Sequence, residues 1–142
     1  MTRDEISEFI VLKLMQEREV LTHDFKSRRK EIGYFFIDGL LPNELALEIY
    51  TKFPSTAEAV RKKNLREFKF TAVQMNAYDG LLEDVIFAFQ DTKVVKIISE
   101  ICDLNGLFAD ENLYAGGLSL MEKNNFLNPH LDNSHDKDRE RW

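Results

Sequence analysis

The chain has 142 residues, with 19 Lys and Arg against 25 Asp and Glu and a formal net charge of −6 at pH 7. That acidic balance argues against general binding to nucleic acid or to an anionic membrane surface, both of which favour a basic protein. Composition is 44% apolar and 31% charged, which suits a packed core and excludes wholesale disorder, and 11 Phe point to large rings within it.

Thr2 and Glu5 have the spacing of a capping box, and Ile6, Phe9, Ile10, Leu14 and Met15 recur with helical spacing, so a first helix is predicted over about residues 3–17. The polar, basic stretch 23–30 reads as a loop. Residues 34–37, aromatic and β-branched, read as a short strand that Asp38-Gly39 ends. Pro42 opens a second helix whose stripe is Leu45, Ile49, Tyr50 and Phe53. Phe68, Phe70 and Ala72 alternate with Lys69 and Thr71 as in a strand. Helices follow over 81–90 and, behind Asp91 as cap, over 92–103. Residues 114–121 and 126–132 read as the two strands of a hairpin around a turn at 122–125, with Gly116-Gly117 marking a bulge or close approach. The basic runs 28–30 and 61–63 read as solvated faces of helices and loops. The order is α+β, helices first and a β region last, with no repeat and no clear linker.

Cys102 is the single cysteine, so an intramolecular disulfide and a Cys-based zinc cage are excluded, and a reducing, cytoplasmic location is expected. It lies in an apolar run and reads as a buried small hydrophobe. No apolar stretch nears the ~20 residues of a membrane span, and Met1-Thr2-Arg3-Asp4-Glu5 is too acidic for a targeting leader.

The chemistry concentrates in residues 128–136, which contain Pro129-His130-Leu131-Asp132. In a strand, residues i and i+2 share a face, so His130 and Asp132 would set an imidazole nitrogen beside a carboxylate oxygen. With a second His, such a pair makes the two-His-one-carboxylate set of non-haem Fe(II) oxygenases, which leaves positions open for a chelating 2-oxo acid and O₂.

Together with residues 34–42 and 118–132, this segment resembles the prolyl-4-hydroxylase-like branch of the 2-oxoglutarate and Fe(II)-dependent dioxygenases. In that branch an aromatic strand leads into a Leu-Pro helix start, and a strand, a turn and Pro-His-x-Asp follow in the same order. The similarity covers about residues 33–142. Where many relatives carry Tyr this chain has Met121, and where Gly is common it has Asn124.

The resemblance implies N-terminal helices packed on the start of a double-stranded β-helix, or jelly roll, and His130 and Asp132 as metal ligands. It also implies Fe(II) as cofactor, 2-oxoglutarate as cosubstrate, and a small molecule or a protein side chain as substrate. The family's distal His and carboxylate-pairing basic residue lie further downstream than Trp142, and about eight strands complete such a fold. Residues 1–142 therefore read either as a single domain or as the N-terminal portion of the oxygenase domain, inactive when isolated. His135 is at an odd offset from His130, and His23 falls in the expected basic loop, so neither is the favoured third ligand. Two alternatives remain. One is a non-catalytic module whose open strand edges pair with a second copy or with a missing C-terminal half. The other is a zinc-dependent hydrolase using His130, Asp132 and His135.

Overall fold

A computed structural model describes residues 1–30, 32–110, 113 and 116–130. Among them are five α-helices and a small antiparallel sheet of four strands, a mixed α+β fold that divides into two compact units. One unit comprises residues 1–54 and 73–117, the other 55–72 and 118–142.

The first unit is helical. Helix α1 (Arg3–Gln16) starts from the expected capping box: the Thr2 hydroxyl accepts from Glu5 N at 3.3 Å, and Glu5 Oε2 accepts from Thr2 N at 2.8 Å. Ile6, Ile10 and Leu14 from α1 are buried in the core. Helix α2 (Arg18–Arg28) occupies most of the stretch expected to be a loop. Its helical content is carried by tertiary contacts: Leu21 is buried, Phe25 packs on the core four residues later, and Asp24–Arg28 and Arg18–Glu100 ion pairs at 2.9 Å hold its polar sides. A composition dominated by charge hides a two-residue apolar stripe.

Helix α3 (Asn43–Lys52) begins after Pro42, whose carbonyl accepts from Ala46 N at 2.9 Å. Helix α4 (Gly80–Phe89) is capped by Asp79, which accepts from Leu81 N, and helix α5 (Thr92–Cys102) by Asp91, which accepts from Lys93 N. Asp103, at φ 54°, closes α5 in the left-handed region, and Leu104 N returns to Ser99 O at 3.0 Å. Helix α1 packs on α4 and α5, α2 on α5, and α3 on α4. The core joins the α1 residues to Leu21, Leu45, Ala88, Val94, Ile97, Ile101 and Cys102.

Residues 34–37, expected to form a strand, are not part of one: they have no assigned secondary structure and pair with no strand among the described residues. Phe35 and Ile37 turn into the core while Tyr34 and Phe36 face outward, the period-2 alternation of a strand without its ladder.

The second unit holds the sheet: β1 (Val60–Lys63), β2 (Glu67–Ala72), β3 (Leu118–Leu120) and β4 (Phe126–Leu127). Strand β2 is central. It pairs with β1 on one edge, Lys62 opposite Lys69, and on the other with both β3 and β4, Phe70 opposite Leu120 and Phe68 opposite Phe126.

Two expectations are corrected here. The basic run Arg61-Lys62-Lys63 is an edge strand whose residues are all exposed, so it carries no apolar alternation to read. Arg61 and Lys63 lie 5.1 and 4.9 Å from the Phe68 ring centroid on the neighbouring strand, and that contact stabilises the edge. The expected hairpin is a single interrupted strand. β3 and β4 both run antiparallel to β2 and therefore parallel to each other, and residues 121–125 loop out opposite Lys69 alone. The loop closes on itself: Asn125 N donates to Glu122 O at 2.9 Å, Glu122 N donates to Asn125 Oδ1 at 2.8 Å, and Asn124 sits at φ 72°. A positive φ at the third position is what a type II turn requires, and Asn tolerates it.

Candidate metal centre

His130 is positioned by the end of β4. Beyond Leu127, Asn128 prolongs the pairing by donating from its backbone N to Arg66 O at 2.9 Å and from Nδ2 to Leu65 O at 3.0 Å. Pro129 lacks an N–H and ends the ladder. His130 follows with Nδ1 2.8 Å from Asn128 O. A carbonyl oxygen only accepts, so Nδ1 carries the hydrogen, and in the neutral ring the lone pair is on Nε2. That tautomer, fixed by a backbone carbonyl, is the one that metal-binding imidazoles commonly adopt.

Asp132, the second expected ligand, and His135 lie outside the described residues. Among the described residues, no group of three or more His, Cys, Asp and Glu is gathered to hold a metal ion. His23 lies on α2, not in a loop, and faces a shallow surface cleft with Arg18, Glu19, Thr22, Lys26 and Glu100. Two of those neighbours are cations, a poor setting for a metal.

Glu67 is the residue near His130 that the linear reading missed. It sits on β2 opposite Leu127, and its Oε2 is 2.8 Å from Lys69 Nζ. The Lys69 hydrogen bond, aided by the charges of Lys69, Lys62 and His130, holds its carboxyl below the ordinary carboxylate range. Glu67 therefore stays ionised at neutral pH and within electrostatic reach of the imidazole. No sequence spacing signals this, because 63 residues separate the two positions and the β2–β4 register alone brings them together.

No protein-family model, curated protein or solved structure matches the chain. Among the described residues, no helix is long and apolar enough to cross a membrane. Cys102 takes no part in this region: it is buried in the helical core, and burial pushes its thiol pKa up, which suppresses the reactive thiolate.

Proposed function

We propose that the chain belongs to an Fe(II)- and 2-oxoglutarate-dependent oxygenase of the hydroxylase type, with His130 and Asp132 as metal ligands and the four-stranded sheet as the start of a double-stranded β-helix. The observation that carries this reading is the placement of His130 directly beyond a strand end, with Nδ1–H on the Asn128 carbonyl and its lone pair on Nε2. The turn before it, with Asn124 at φ 72° where relatives commonly have Gly, supports the same reading. Fe(II) bound there with 2-oxoglutarate would use O₂ as the oxidant, with decarboxylation of the 2-oxo acid supplying two electrons, to hydroxylate an unactivated C–H bond of a small molecule or a protein side chain.

The chain's own residues do the positioning. The β2–β4 ladder and Pro129 fix where His130 begins, and the Asn128 carbonyl sets its tautomer. Glu67 lies near the imidazole but is ion-paired with Lys69, so it does not compete as an unpaired carboxylate. Asp132, two residues on, supplies the anionic oxygen donor that a hard divalent ion favours.

Anaerobic titration with Fe(II), or with Mn(II) followed by electron paramagnetic resonance, tests the assignment. The expected result is one weak site that 2-oxoglutarate tightens and that His130→Ala or Asp132→Ala weakens at least about tenfold. Metal binding unchanged in both variants would remove the reading. A site that prefers Zn(II) and is lost in His135→Ala would replace it with the zinc hydrolase.

A further inference from the structure

Strand β1 has a partner on one side only. It pairs with β2, and among the described residues nothing pairs with its other edge. Asn64 N donates to Glu67 O at 2.9 Å, so these two positions form a hydrogen-bonded pair. Bonded and non-bonded pairs alternate along an antiparallel ladder, so Lys62 with Lys69 and Val60 with Thr71 are bonded pairs as well. Arg61 and Lys63 fall between them, and their N–H and C=O groups therefore point to the free side. All four residues of β1 are exposed. Such an edge is a template for a further strand.

The charges say which strand. Residues 60–69 carry five Lys and Arg against the single Glu67, in a chain whose net charge is −6. Lys69 is ion-paired with Glu67 at 2.8 Å, whereas Arg61, Lys62, Lys63 and Arg66 form no ion pair among the described residues. A second copy laid β1 on β1 would set these cations against one another, which destabilises cross-strand neighbours. The Phe68 ring already has Arg61 and Lys63 at 5.1 and 4.9 Å from its centroid, so it is engaged and not open to a nucleic-acid base. What fits is a strand's backbone with the opposite charge. We infer that the free edge of β1 docks an extended acidic segment of another protein, which adds an antiparallel strand and sets three consecutive carboxylates against Arg61, Lys62 and Lys63. Cross-strand neighbours share a face, so the outer two carboxylates meet Arg61 and Lys63 on one face and the middle one meets Lys62 on the other. The contact is independent of any metal at His130.

Fluorescence anisotropy with the labelled peptide Thr-Val-Glu-Glu-Glu-Val-Thr tests the inference, together with amide exchange. At low salt the peptide is expected to bind with a Kd between about 0.01 and 1 mM, and more weakly as ionic strength rises. Replacing its three Glu by Gln weakens binding at least about tenfold. N-methylation of the outer two Glu keeps every charge but blocks the ladder, and costs as much. Lys62→Glu leaves the contact with Phe68 in place and weakens binding about tenfold, while Thr-Val-Glu-Lys-Glu-Val-Thr restores it. In the free chain the Arg61 and Lys63 amides exchange quickly and that of Lys62 slowly, and the peptide protects the first two. No binding up to 1 mM overturns the inference. So does equal binding of the N-methylated peptide, failure of the exchanged peptide to rescue Lys62→Glu, or an oligothymidylate that binds more tightly than the peptide. Protected Arg61 and Lys63 amides in the free chain would likewise overturn it, since the edge would then already be covered.

Discussion

The close approach of Gly33 to Phe25 makes Gly33→Ala a sensitive probe of how residues 32–37 are seated. The new methyl carbon would meet Phe25 Cζ, Cε2 and Cε1 at 2.7, 2.9 and 3.1 Å. Carbon atoms prefer about 3.5–4.0 Å, so the ring must retreat by roughly 1 Å from a position packed on the core. Overpacking of this kind costs about 1–3 kcal/mol. Losing the backbone freedom of Gly in the unfolded chain offsets about 0.4–1 kcal/mol. The net expectation is a destabilisation of about 1–2 kcal/mol. Phe25→Leu removes the ring atoms that collide, so in that background Gly33→Ala should be neutral or mildly stabilising, a coupling of about 1–3 kcal/mol. Urea unfolding followed by far-UV circular dichroism suits the measurement, because all five helices lie in the same unit as both residues. A Gly33→Ala variant as stable as the parent in both backgrounds would refute the argument that the ring and the backbone are in contact.

Ile101 is fully buried and Leu47 on α3 is 64% exposed. Ile101→Ala should therefore cost about 2–5 kcal/mol and Leu47→Ala less than about 0.5 kcal/mol in the same assay, and similar costs for the two would place the core elsewhere. Glu5, Glu58, Glu67 and Asp79 all have carboxyls held below their ordinary range. The first causes are hydrogen bonds from Thr2, Ser55, Lys69 and the Leu81 N–H respectively. The unfolded state then binds more protons, so their stabilisation is complete above the unfolded carboxylate range near pH 4 and is lost as pH falls through the lower folded values. The urea midpoint should drop between about pH 5 and 3, and more gently in Asp79→Asn; an invariant midpoint would count against these bonds. Cys102 should react with a thiol reagent at pH 8 far more slowly than a free thiol and at the free rate in urea, and fast native labelling would contradict its burial.

Local physics alone determined much of the helical unit. The Thr2–Glu5 box, the Asp79 and Asp91 caps, and the apolar stripes of α1, α4 and α5 each lie within a few residues of chain, so the code for those helices is short-range. The left-handed turn at Asn124 was readable for the same reason, whereas residues 34–37 keep the alternating burial of a strand but not the strand itself. Helix α2 was not readable, because Leu21 and Phe25 become a stabilising face only once the core exists. Strand β1 was invisible for a related reason: four exposed residues are a strand only beside β2, with Arg61 and Lys63 over Phe68. Residues 118–127 showed a strand, a turn and a strand, but whether the two strands face each other or share one partner depends on β2, about 50 residues away in sequence. Such non-local pairing has no local signature, because register is set by which distant backbone offers its hydrogen bonds. His130 stood out from residue order alone. Its anchoring to Asn128 and its nearness to Glu67 were decided by the sheet, which brings together groups that no linear spacing connects.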